Sequence, residues 1–77
     1  MNWEENNNKI QKTFTFANFG EALGFVNKVG ALAEEADHHP DILLHDYKHV
    51  TITMTTHSAG SVVTEKDREL ADKIDQV

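Results

Sequence analysis

The sequence predicts an α+β domain, a single four-stranded antiparallel sheet with helices packed on one face, in the order β-β-α-β-β-α. Three observations lead there. Two segments alternate apolar and polar residues with a period of two, and one long segment repeats apolar residues at three- and four-residue steps. A capping signature near the C-terminus announces a second helix. Strands with one polar face, interleaved with only two helices, suit an antiparallel sheet covered on one side.

The elements follow in chain order. Trp3 belongs to a short first strand that turns at Asn6-Asn7-Asn8. From Ile10 to Phe16 the residues Ile10, Phe14 and Phe16 share one face, and Gln11, Thr13 and Thr15 the other, the pattern of a half-buried strand. Asn18 with Glu21 three residues on is a capping box, and a helix then runs from Phe19 to Ala36. Its buried stripe is Ala22, Phe25, Val26, Val29, Leu32, Ala33 and Ala36. Gly24 and Gly30 each cost about 1 kcal/mol in that helix, which is tolerable where a second copy of the helix packs closely. Pro40 biases His39 toward extended backbone, so the helix stops near Asp37. Ile42 to Leu44 starts a third strand. Val50 to Thr56 is the clearest one, with Val50, Ile52 and Met54 inward and His49, Thr51, Thr53, Thr55 and His57 on the polar face. Thr64 caps the last helix with Asp67 as its capping-box acid, and Leu70, Ala71, Ile74 and Val77 form its apolar stripe.

Composition excludes several functions. The 77 residues hold room for one domain, 1–77, and a core this small gains from self-association, a metal or disulfides. With no cysteine, disulfides and Cys-based metal sites drop out. The net charge is −6; charges balance over residues 1–33, while ten acids face four bases from residue 34 onward. No cation cluster is available to displace phosphate counterions, so direct nucleic-acid binding is not expected. No stretch approaches the ~20 apolar residues of a membrane span, and the N-terminus MNWEENNN is not a signal peptide. A cytoplasmic protein is expected.

Five histidines remain as the chemical feature. His38 and His39 sit where the long helix ends, and His57 at the end of the best strand, places where side chains from different elements converge. Imidazoles there titrate near neutrality and exchange protons with a substrate. His45 and His49 read as surface residues, since four residues along one strand span over ~13 Å, too far for two ligands of one ion. A His-only zinc site from His38, His39 and His57 is disfavoured because adjacent residues point apart in extended chain. Glu34, four residues before His38, is placed either to orient that imidazole or as a solvated helix acid. Ser58 and Ser61 lie near His57, but no strand-turn-helix elbow frames a nucleophile.

Taken together, Ala33-Glu34, His38-His39-Pro40-Asp41, Tyr47, Val50, Thr56-His57, Gly60, Thr64, Asp67, Leu70-Ala71 and Ile74-Asp75 resemble the pterin-4a-carbinolamine dehydratase family. Trp3, Phe14-Thr15-Phe16, Phe19, Ala22 and Phe25-Val26 extend the match over nearly the whole chain. The resemblance implies the same four-stranded fold, a homodimer or homotetramer, and loss of water from a 4a-hydroxytetrahydropterin substrate to give the quinonoid dihydropterin in tetrahydrobiopterin recycling. It implies no metal or organic cofactor. It places catalysis on His38, His39 and His57 and matches the family's motif acid to Asp67; Asp67, and from its spacing Glu34, are the candidates for binding or orienting the substrate. His39 and His57 are expected to move protons while His38 orients the pterin. One departure stands out. The segment after His57 reads Gly-Ser-Val-Val-Thr where Gly-Gly-Leu-Thr is typical, and the extra residue is placed to shift Asp67. An alternative use of the same scaffold is an interaction module or accessory, dimerisation factor without turnover.

Overall fold

In a computed structural model the structure describes residues 3–77. The chain folds as β1 (Glu4–Asn6), β2 (Lys9–Thr15), α1 (Phe19–Ala36), β3 (Asp41–His45), β4 (His49–Met54), a single 3₁₀ turn (His57–Ala59) and α2 (Glu65–Asp75). One antiparallel sheet has the order β1-β2-β4-β3. This is the α+β architecture expected, and α1 has the predicted ends.

Local chemistry sets the turns. Asn7 and Asn8 both adopt left-handed backbone (φ 52 and 63), which asparagine tolerates and which matches the twist of the β1–β2 hairpin. Asn18 caps α1 by accepting the Glu21 N–H at 2.9 Å on its side-chain oxygen, while the Glu21 carboxylate accepts the Ala17 N–H at 3.1 Å. At the other end Asp37 turns left-handed (φ 51) and the His38 N–H bonds back to the Ala33 carbonyl at 3.1 Å.

The core lies between the sheet and the two helices. Ile10, Val50, Ile52 and Met54 come from the inward face of the central strands, Ala22, Phe25 and Val29 from α1, and Leu70, Ala71 and Ile74 from α2. Phe25 packs against Phe14 and Phe16, with ring centroids 4.7 and 4.9 Å away. Trp3 closes the far edge, edge-on to Phe14, and its indole N–H donates to Asp75 at 3.0 Å. The other face of the sheet is open and polar. There Thr13 meets Thr51 at 2.8 Å, the Gln11 amide donates to Thr53 at 3.0 Å, and Thr15 meets His49 at 2.9 Å. No helix among the described residues is long and apolar enough to cross a membrane.

Two expectations shift. The ladder of β4 ends at Met54, and Thr55 and Thr56 are buried instead of continuing the alternation. Thr55 donates its hydroxyl to the Asn8 carbonyl at 2.9 Å, and Thr56 pairs with Val62 in an isolated bridge, so hydrogen bonding overrides the period of two. His57 accordingly opens a turn instead of ending a strand. In addition, His45 and His49 are not spread along one strand. The left-handed pair Asp46-Tyr47 folds β3 back on β4 and sets the two imidazoles opposite each other, 5.5 Å between centroids, on the open face.

A methyl group at Gly24 or Gly30 would meet nothing of this chain within 4 Å. In dilute monomer, alanine at either position is expected to stabilise α1 by about 1 kcal/mol. If a second copy packs on this helix, the gain should turn into a loss as protein concentration rises. Urea unfolding across concentrations measures both, and a gain independent of concentration would count against self-association through α1.

Candidate functional site

The site grows from Asp67, at N3 of α2. Its side chain is 0% exposed, in a position that an unpaired carboxylate cannot occupy at reasonable cost. Three donors satisfy it. The Thr64 N–H reaches Oδ2 at 2.9 Å as half of the predicted capping box, and the Thr56 hydroxyl reaches the same oxygen at 2.6 Å. His38 Nε2 lies 2.6 Å from Oδ1. Burial by itself would push the Asp67 carboxyl up. The Thr56, His38 and Thr64 hydrogen bonds and the charge on His38 outweigh that and hold it below the usual carboxylate range. A carboxylate only accepts, so His38 Nε2 carries the proton and, in the neutral ring, Nδ1 is the bare nitrogen.

Each of these groups is delivered by a different element. His38 follows the left-handed stop of α1, Thr56 and His57 follow β4, and Asp67 stands in the first turn of α2, whose dipole favours a negative charge there. The segment between His57 and Val62, expected from the resemblance to be one residue longer than usual, leads from the 3₁₀ turn toward α2. It contains two consecutive left-handed residues, Gly60 (φ 85) and Ser61 (φ 59), and is closed by the Thr56–Val62 bridge. Asp67, beyond this segment in the chain, is in contact with His38.

The sequence-derived residues therefore fall into two groups. His38 and Asp67 are in direct contact, and Thr56, the residue before His57, is bonded to Asp67. His38 has 12% of its side chain exposed, whereas His39 has 60%, and His57 is also exposed. Glu34 does not reach His38. Its side chain, 80% exposed, lies 3.5 Å from His39, and the orienting carboxylate of His38 is Asp67. His57 Nδ1 has Ser61 Oγ at 3.4 Å. The Thr56 and Thr64 hydroxyls lie 2.7 Å apart; both residues belong to the motif that carries the family resemblance, but only Thr64 had a structural role legible in the sequence, as the N-cap of α2. Among the described residues, no three His, Asp or Glu side chains cluster as metal ligands would. Hollows of ≈ 410 Å³ beside Glu4, Lys9 and Asp41 and ≈ 400 Å³ beside Leu32, Lys73 and Val77 lie away from the histidines. Neither contains an acid–imidazole pair.

Chemically, the arrangement couples one anchored imidazole to a buried carboxylate and leaves the rings of His39 and His57 exposed. It suits proton transfer at a small polar substrate.

Comparison with known proteins points the same way. The family profile described as "Pterin 4 alpha carbinolamine dehydratase" matches residues 1–77. A Sulfolobus acidocaldarius protein named "Putative pterin-4-alpha-carbinolamine dehydratase" is 49% identical over 75 residues, covering 97% of this chain and 80% of its own. A Brucella melitensis crystal structure titled as a transcriptional coactivator/pterin dehydratase superimposes with a TM-score of 0.87 at 34% identity, over 96% of this chain and 79% of that one. A pterin dehydratase-like protein identified as a RuBisCO assembly factor in the alpha-carboxysome superimposes with a TM-score of 0.80 at 26% identity, over 96% and 86%.

Asp67 supports the fold above the ordinary carboxylate pKa and loses that contribution as pH falls through its lowered folded value. Stability is thus expected to decline from about pH 4 downward. Asp67→Ala, which strands three donors, should cost about 3 kcal/mol at pH 7 and flatten this acid limb. Urea unfolding as a function of pH checks both. An unchanged acid limb in the variant would contradict the assignment.

Proposed function

Because the chain belongs to the pterin 4 alpha carbinolamine dehydratase family, we propose that it removes water from a 4a-hydroxytetrahydropterin by histidine acid–base catalysis, as part of tetrahydrobiopterin recycling. The observation that carries the reading is the His38–Asp67 contact at 2.6 Å, with His39 and His57 exposed.

The reaction breaks the C4a–O bond. The leaving hydroxyl takes a proton from one imidazolium and departs as water. A second imidazole accepts the N5 proton, and the N5–H electron pair becomes the C4a=N5 bond of the quinonoid dihydropterin. His39 and His57 are free to gain and lose those protons. His38, held through Nε2, offers Nδ1 to the pterin as a fixed acceptor. Positioned groups of this kind contribute roughly 10²–10⁴-fold each. Glu34, beside His39, assists that ring. No metal or cofactor enters this chemistry. Assembly into a homodimer or homotetramer belongs to the same reading, supported by the small core and by exposed Phe19 and Leu23 on α1; the alanine series at Gly24 and Gly30 tests it.

A second reading is an accessory role without turnover, favoured by the likeness to the RuBisCO assembly factor at 26% identity. It predicts stable co-purification with a partner enzyme and no acceleration of dehydration.

The test uses substrate generated in situ by a coupled hydroxylase, with acceleration read over the uncatalysed background. His39→Ala and His57→Ala are expected to lower kcat by roughly 10²-fold or more with KM little changed, and His38→Ala to act mainly on KM. A His39 variant with unaltered kcat refutes the assignment of roles, and no acceleration by the wild type moves the function to the accessory reading.

A further inference from the structure

Thr56 and Thr64 touch Asp67 and have no part in the mechanism above. A hydroxyl carries one proton. Thr56 spends its proton on Asp67 Oδ2 at 2.6 Å, so toward Thr64 Oγ1 at 2.7 Å it only accepts, and Thr64 is the donor. Thr64 Oγ1 in turn accepts the Lys66 N–H at 3.3 Å. The protons thus run one way, from the first turn of α2 through Thr64 and Thr56 to the carboxylate. Capping alone accounts for the Thr64–Lys66 contact. It does not account for the buried Thr56 hydroxyl, whose own backbone is already paired with Val62.

We propose that Thr56 and Thr64 are positioning residues, a one-way hydroxyl relay that locks Asp67 as a pure acceptor and so fixes the His38 ring with Nε2 as donor and Nδ1 free. The link to turnover rests on the dehydratase reading; the relay itself does not. Consistent with it, the Thr56 bond is the largest of the contributions opposing the effect of burial on Asp67.

The experiment follows the Asp67 carboxyl carbon by NMR through an acid titration in wild type, Thr56→Val and Thr56→Ser, alongside dehydration kinetics. Valine keeps the shape of threonine without the proton, and serine keeps the proton without the methyl. The Asp67 midpoint is expected to rise in Thr56→Val and to stay at the wild-type position in Thr56→Ser. In Thr56→Val, kcat/KM should fall roughly tenfold, with its acid limb moved to higher pH. An unmoved midpoint in Thr56→Val, or an equal displacement in Thr56→Ser, overturns the relay. If Thr56→Val does not fold, Thr64→Gly, a substitution that helix N-caps tolerate, replaces it; it removes only the hydroxyl that donates to Thr56, so a smaller rise of the Asp67 midpoint is expected, and no rise overturns the relay. A wild type that fails to accelerate dehydration while Thr56→Val still moves Asp67 defeats the functional reading and leaves the relay standing. An active wild type with an unmoved Thr56→Val midpoint does the reverse.

Discussion

A carboxylate with no access to water has to be given its hydrogen bonds by the protein, and Asp67 receives them from three directions. That requirement organises this end of the molecule. The C-terminal stop of α1, the departure from β4 and the first turn of α2 each lend a donor, so none can drift without stranding a buried charge. Burial and ionisation oppose each other here. The three bonds decide the outcome, and an ionised Asp67 leaves His38 one orientation. The exposed histidines are placed by the same contacts: His39 is chained to His38, and His57 to Thr56.

Much of this was legible in the residues. Alternation over Ile10–Phe16, the broad stripe of α1 and the Thr64–Asp67 capping box each express a periodicity or a local bond, which a sequence displays directly. What was not legible depended on tertiary hydrogen bonding. Thr55 and Thr56 continue an apparent alternation, yet both are buried because Asn8, Val62 and Asp67 take up their polar atoms. Glu34 has helical spacing to His38, but the left-handed Asp37 redirects the chain and leaves it beside His39. Asp67 already had a sufficient local explanation as a cap. Its second bond, to a residue 29 positions away, has no trace in local pattern.

The two histidine sets show how position confers chemistry on one residue type. His45 and His49 face each other on the open side of the sheet among threonines, with Asp46 at the hairpin turn as the nearest acid. His38 bonds the buried Asp67, while His39 and His57 follow in the chain directly after two residues that hold it, His38 and Thr56. Among the described residues, His38 is the histidine whose ring is held by a buried carboxylate.

The most direct measurement is a titration of the protein with a stable reduced pterin, following all five imidazoles by NMR. The account predicts that the resonances of His38, His39 and His57 move together and saturate, while those of His45 and His49 stay in place. Perturbation of His45 and His49 instead, or saturable binding that leaves His38 untouched, would contradict it.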